Sequence, residues 1–258
     1  MTDRNHVHHD QLSEAVPNCP ASFTAERDIT ENDGAFILTI LGGPSPWQTY
    51  LQSNLAAHRR DLPAKPIRIC DEGEFAGGYR RVYGESAPTD AQGFVDRRNG
   101  MMILKEFPQR SIGKSKVGIA LHEAVHLFSH PPGRSNRIRA TVYEMLGRGL
   151  LEGLTQMVTD DILSTQCISP MRDDWQAYKK LTPIARKFMQ ALSPRIVADS
   201  YFLGAVNPLH NLIRIKWTFA SFVRLRELAN REETTAALQL IDTLSRPREF
   251  QQIFRGSR

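Results

Sequence analysis

The segment that most constrains this chain is Ile119–His130, Ile-Ala-Leu-His-Glu-Ala-Val-His-Leu-Phe-Ser-His, which contains His122-Glu123-x-x-His126. Successive helical residues turn by about 100°, so positions i and i+4 lie about 40° apart on one face. Two imidazoles so spaced can reach one metal ion. Glu123 falls on the adjacent flank, where its carboxylate can meet a water on that ion without being a ligand. The flanks read as a buried helix: Val117, Leu121, Val125 and Phe128 recur at helical spacing. Ser115 is a candidate N-cap and Pro131-Pro132-Gly133 a stop. Polar groups on an apolar helix must be satisfied. A metal does this for His122 and His126; a hydrogen-bonded core pair is the alternative.

Two histidines fall short of a catalytic site, which takes three protein ligands and leaves one position open. His130 lies eight residues after His122, about 12 Å along a straight helix, too far to share the ion. A histidine ten residues after the first completes another zinc pattern, but that position is Pro132. Glu152 is better placed. It lies 26 residues after His126, in a polar stripe (Arg148, Glu152, Thr155, Gln156, Thr159) on an otherwise apolar helix. Gly153 beside it admits a close neighbour, either backbone or substrate. Glu144, about two turns earlier, is the rival ligand.

His122-Glu123-x-x-His126 followed by Leu151-Glu152-Gly153-x-Thr155 resembles the gluzincin type of zinc metallopeptidase, over roughly residues 93–163. The resemblance implies Zn²⁺ held by His122, His126 and Glu152, with Glu123 moving the proton of the attacking water. It implies hydrolysis of a peptide bond in a protein or peptide substrate, with an endopeptidase preferred. It also implies an oxyanion donor. Tyr201, in a Tyr-x-x-Gly segment, is favoured for that role, with His210 and Tyr143 as competitors. In the better-known members an aspartate four residues after the ligand glutamate holds a zinc histidine. Gln156 stands there instead; it can accept an imidazole N–H but adds no charge. The other reading is a structural zinc protein or an inactive peptidase-like adaptor, against which Glu123 argues, since a structural site has no use for a general base.

Composition excludes several classes. With 41% hydrophobic and 24% charged residues among 258, the chain reads as an ordinary globular protein. The net charge of +5 is scattered, without a nucleic-acid motif, so no nucleic-acid partner is expected. Three widely spaced cysteines, Cys19, Cys70 and Cys167, are expected to be free or buried thiols. No apolar run approaches a membrane span and no signal segment is legible. The expectation is therefore a protein cytoplasmic as synthesised. A bacterial effector or toxin protease exported by a specialised secretion system is one version; a housekeeping protease is another.

The chain divides into a flexible or irregular segment (1–33), a single zincin-like metallopeptidase domain (34–250) and a tail (251–258). His6, His8 and His9 are read as belonging to the first segment rather than to a metal site. Ala35–Leu41 reads as a buried strand or short helix, and Trp47–Arg59 as a helix. Residues 66–106 read as β-structure: Pro66–Cys70, Tyr79–Tyr83, and a hairpin whose turn is Asn99-Gly100. An edge strand beside the metal could pair with an extended peptide. Helices are expected at Ser135–Ser164, Asp174–Leu192, Pro194–Phe202, Leu209–Leu228 and Arg231–Leu244. The fold class is α+β: a small, mostly antiparallel N-terminal sheet followed by a helical half that carries the zinc-binding helices.

Overall fold

Residues 29–59, 62–89, 91–106, 116–130, 135–168 and 178–246 are described in the computed structural model. The candidate cap Ser115, the Pro131-Pro132-Gly133 stop, Cys19, the three early histidines and the tail lie outside these residues. The apolar run after Gly34 is a helix, α1 (Gly34–Gly42). Its buried Ile37, Ile40 and Leu41 fall at the i, i+3, i+4 spacing of one face. Helix α2 (Gln48–His58) follows as expected. Its buried Asn54 donates to the carbonyls of Phe128 (2.8 Å) and Phe202 (3.1 Å). Those carbonyls close two other helices, whose last C=O groups need such partners.

Strand β1 (Ile67–Cys70) leads into α3 (Glu72–Tyr83). Here the structure corrects the expected strand at Tyr79–Tyr83. Asp71 caps the helix through Glu74 N at 2.8 Å, and Gly84 closes it in the left-handed conformation. Phe75, Tyr79 and Tyr83 form a stripe one turn apart that packs on Phe94. The hairpin is present as β2 (Gly93–Asp96) and β3 (Met101–Lys105). The sheet runs β1-β3-β2, with β1 parallel to β3 (Ile67↔Met102) and β2 antiparallel to it (Phe94↔Ile103). It is mixed rather than mostly antiparallel because a helix, not a strand, connects β1 to the hairpin.

Helix α4 (Lys116–Phe128) packs against α1, α2, α5 and the inner face of β2 and β3. The expected stripe of Val117, Leu121, Val125 and Phe128 is fully buried, and so are Ile119, Ala120 and Ala124. Helix α5 (Ser135–Thr165) is broken at Gly147, whose φ of 73° and ψ of 167° are not helical. Val142, Leu146, Leu150, Leu154, Val158 and Ile162 line its core face. Then come α6 (Thr182–Leu192), α7 (Pro194–Leu203), α8 (Val206–Lys216), α9 (Phe219–Asn230) and α10 (Thr234–Ser245). The helix expected over Leu209–Leu228 is two, because the chain turns extended at Trp217 and Thr218 caps a new helix through Ser221 N. Of the Asp174–Leu192 expectation, residues 174–177 are outside the description and 178–181 form turns before α6.

The architecture is α+β: a small N-terminal sheet followed by a helical half. Cys70 is a buried thiol, but Cys167 is disulfide-bonded, which corrects the free-thiol expectation for that residue. Among the described residues, no helix is long and apolar enough to cross a membrane.

Candidate metal centre

Helix α4 presents His122 and His126 one turn apart, and α5 crosses it carrying Glu152. One oxygen of Glu152 lies 3.2 Å from His122 Nε2 and 3.0 Å from His126 Nε2. One ligand atom from each residue falls within 4.8 Å of the others, so the three could hold a metal ion. Two imidazole nitrogens and a carboxylate oxygen suit Zn²⁺ and related first-row dications. Glu144, the rival ligand, is exposed on α5 and outside this group. His130 is buried beyond the end of α4, with Nδ1 2.9 Å from Ser129 Oγ.

Two further residues of the polar stripe on α5, Thr155 and Gln156, orient the two imidazoles. Gln156 Oε1 accepts from His122 Nδ1–H at 3.1 Å, while Gln156 Nε2 donates to Asp160 at 2.8 Å. The second bond fixes which way the amide points, and the first leaves the Nε2 lone pair facing the centre. Thr155 Oγ1 donates to the Leu151 carbonyl at 2.9 Å, so its lone pairs face His126 Nδ1 (3.3 Å) and the Tyr201 hydroxyl (2.6 Å). Arg97 reaches from the hairpin to the carbonyls of His126 and Leu127, satisfying the end of α4.

Burial opposes charge throughout this cluster. It draws His126 down to about 4, which leaves that imidazole neutral with a free lone pair at pH 7. Burial works against His122 too, but Glu152, Glu123 and Gln156 outweigh it and raise that group. On Glu152, burial is overcome by the two imidazoles, which hold the carboxyl well below the usual carboxylate range. Glu123 is pushed up to about 7, chiefly by burial, with Glu152 adding to it and His122 and Arg97 opposing. A dication at the centre would favour ionised Glu123, since the metal becomes the largest local charge.

Glu123 lies against β2. A Cβ on Gly93 would sit 2.8 Å from Glu123 Cγ, so a larger residue there would push this carboxylate out of its position. Glu123, His126 and Glu152 open onto a cavity of about 460 Å³. Its walls include Tyr79, Tyr83, Phe94, Tyr143, Arg148 and Tyr178. Tyr201, expected as an oxyanion donor, is 1% exposed behind His126 and is not among the lining residues. His210 packs on Phe219 away from the cavity, and Tyr143 sits 46% exposed at its rim.

Tyr178 escaped the sequence reading. Its ring stacks on His122 with centroids 5.1 Å apart and planes 5° from parallel. Its hydroxyl is held protonated, first by the Glu152 charge and then by burial. No local spacing marks it. The signal nearest to it is Gly153, where a Cβ would meet the Leu181 carbonyl at 2.8 Å; the glycine lets the 178–181 turn close over the centre. Compared with known proteins, the chain matches no family model, no curated protein and no solved structure.

Proposed function

We propose that this chain is a zinc-dependent peptide-bond hydrolase of the gluzincin type. The observation that carries the reading is the convergence of His122, His126 and Glu152 beside Glu123, a buried carboxylate outside the ligand set that lines a cavity. A structural site has no need of that fourth group. Zinc held by these three side chains would supply Lewis acidity, lowering the pKa of a water and polarising a carbonyl. Glu123 then accepts the proton of the attacking water and returns it to the leaving amine. Tyr178, protonated and facing the cavity, donates to the developing oxyanion, in place of Tyr201. Tyr201 instead positions His126 through Thr155.

The sheet supports a peptide as substrate. Strand β2 is an edge strand. Lys105 N donates to Gln92 O at 2.9 Å, so in this register Gln92 and Phe94 bond inward and Gly93 and Val95 turn their backbone groups outward. The Val95 carbonyl accepts from the Tyr83 hydroxyl at 3.2 Å, so an extended substrate can pair with the backbone of Gly93, beside Glu123. The test combines metal content with cleavage of casein. Wild type should carry one zinc per chain and cleave; His122→Ala should lose both; Glu123→Ala should keep zinc and lose cleavage. A zinc-loaded wild type that hydrolyses neither casein nor a broad peptide library returns the protein to the adaptor reading.

A further inference from the structure

Among the described residues, five charged ones line the cavity: Glu85, Arg97, Glu123, Arg148 and Glu152. Arg97 is engaged with the carbonyls that end α4, and Glu123 and Glu152 belong to the centre. Arg148 has a different setting. It is exposed, its guanidinium hydrogen-bonds the Tyr178 hydroxyl and feels the Glu152 charge, and among the described residues no carboxylate oxygen lies within salt-bridge distance of it. It stands four residues before Glu152, on the same face and about 6 Å along the helix axis.

The backbone is built to put it there. Gly147 breaks α5 immediately before Arg148, with a positive φ that a side chain would strain. Asn230 Oδ1 takes up Gly149 N at 2.7 Å, capping the restarted helix. Gly149 is hemmed in by the Ala229 backbone, which a Cβ would meet at 2.3 Å. The break falls immediately before the residue that faces the cavity. A guanidinium stays charged at every physiological pH and pairs with carboxylates in a two-pronged geometry.

Resting on the peptidase reading, we infer that Arg148 is a specificity determinant that anchors a carboxylate of the substrate within one or two residues of the scissile bond. The carboxylate comes either from an acidic side chain or from the chain terminus. Fluorescence-quenched peptides distinguish the two sources: one set holds each interior position in turn as Glu, Gln or Lys, and another compares a free C-terminus with its amide. Wild type should favour one carboxylate arm by about tenfold in kcat/KM, the factor a single charge-assisted hydrogen bond supplies. Arg148→Gln should erase that ratio, and Arg148→Glu should turn it toward Lys or the amide.

A ratio is unmoved by a general loss of activity or of Tyr178 placement. The same peptides, labelled for anisotropy, are also bound to zinc-loaded Glu123→Gln. A wild type indifferent to charge in both assays, or an Arg148→Gln that keeps the preference, overturns the anchor. If nothing is cleaved but the binding ratio depends on Arg148, the peptidase reading fails and the anchor stands.

Discussion

Asp160 touches no ligand atom, yet it should set zinc affinity. It accepts from Gln156 Nε2 at 2.8 Å, and Gln156 in turn accepts from His122 Nδ1 at 3.1 Å. Asp160→Ala leaves the Gln156 amide, only 1% exposed, free to flip and turn its NH₂ toward His122. A hydrogen bond to a charged acceptor contributes about 1.5–3 kcal/mol. Asp160 is half-buried, so water recovers part of that. If about half reaches His122, the loss is about 0.8–1.5 kcal/mol, or about four- to tenfold in Kd. Its upper end meets the lower end of the about 10–100-fold span seen for partners of metal ligands. Competition between apo-protein and a chelating fluorophore at fixed pH measures it, with a thermal melt to verify the fold. Adding Gln156→Glu to Asp160→Ala places a carboxylate directly on His122 and should restore affinity. If Asp160→Ala binds zinc as wild type does while melting at the same temperature, the relay has no function and the reasoning fails.

Tyr178→Phe should lower kcat by about 10²-fold with zinc content unchanged, as for removal of an oxyanion donor. Tyr201→Phe should instead weaken zinc retention, because the lost hydroxyl bonds Thr155 behind His126; equal kcat losses with full zinc in both variants would contradict this division. Gly149→Ala drives a Cβ into the Ala229 backbone at 2.3 Å, and such overpacking costs about 1–3 kcal/mol. Calorimetry should show a melting point lower by several degrees, whereas Gly77→Ala, with nothing within 4 Å of its Cβ, should not fall. Chelation of zinc present at about 100 times its Kd should remove about 2.7 kcal/mol of stability. At about 2–4 °C per kcal/mol for a chain of this size, the melt should drop by roughly 5–10 °C, and His122→Ala should be insensitive to the chelator.

The metal group was legible because its parts obey short-range rules. The spacing of His122 and His126 is a property of one helix, and Glu152 stood out as a carboxylate in a polar stripe on an apolar one. The stripe had more to tell: Thr155, Gln156 and Thr159 are buried at 0%, 1% and 0%, and Thr155 and Gln156 each face a ligand histidine. Helix α3 was misread although its period was present. Phe75, Tyr79 and Tyr83 repeat at four, with Asp71 and Gly84 at the ends, but the two glycines before Tyr79 and the local alternation suggested a strand.

Sequence alone determined that His122 and His126 could reach one ion, because helical periodicity converts spacing directly into geometry; it left Glu152 and Glu144 as rivals for the third place, and the packing of α5 on α4 brings Glu152 to them. Only the tertiary structure decided what surrounds them. Tyr178 stacks on His122 from a turn that Gly153 lets pack close to α5, Arg148 lines the cavity just after the break at Gly147, and Tyr201 is shut behind Thr155. These placements depend on how separate helices pack. Packing is fixed by contacts between residues distant in sequence, for which no local pattern exists.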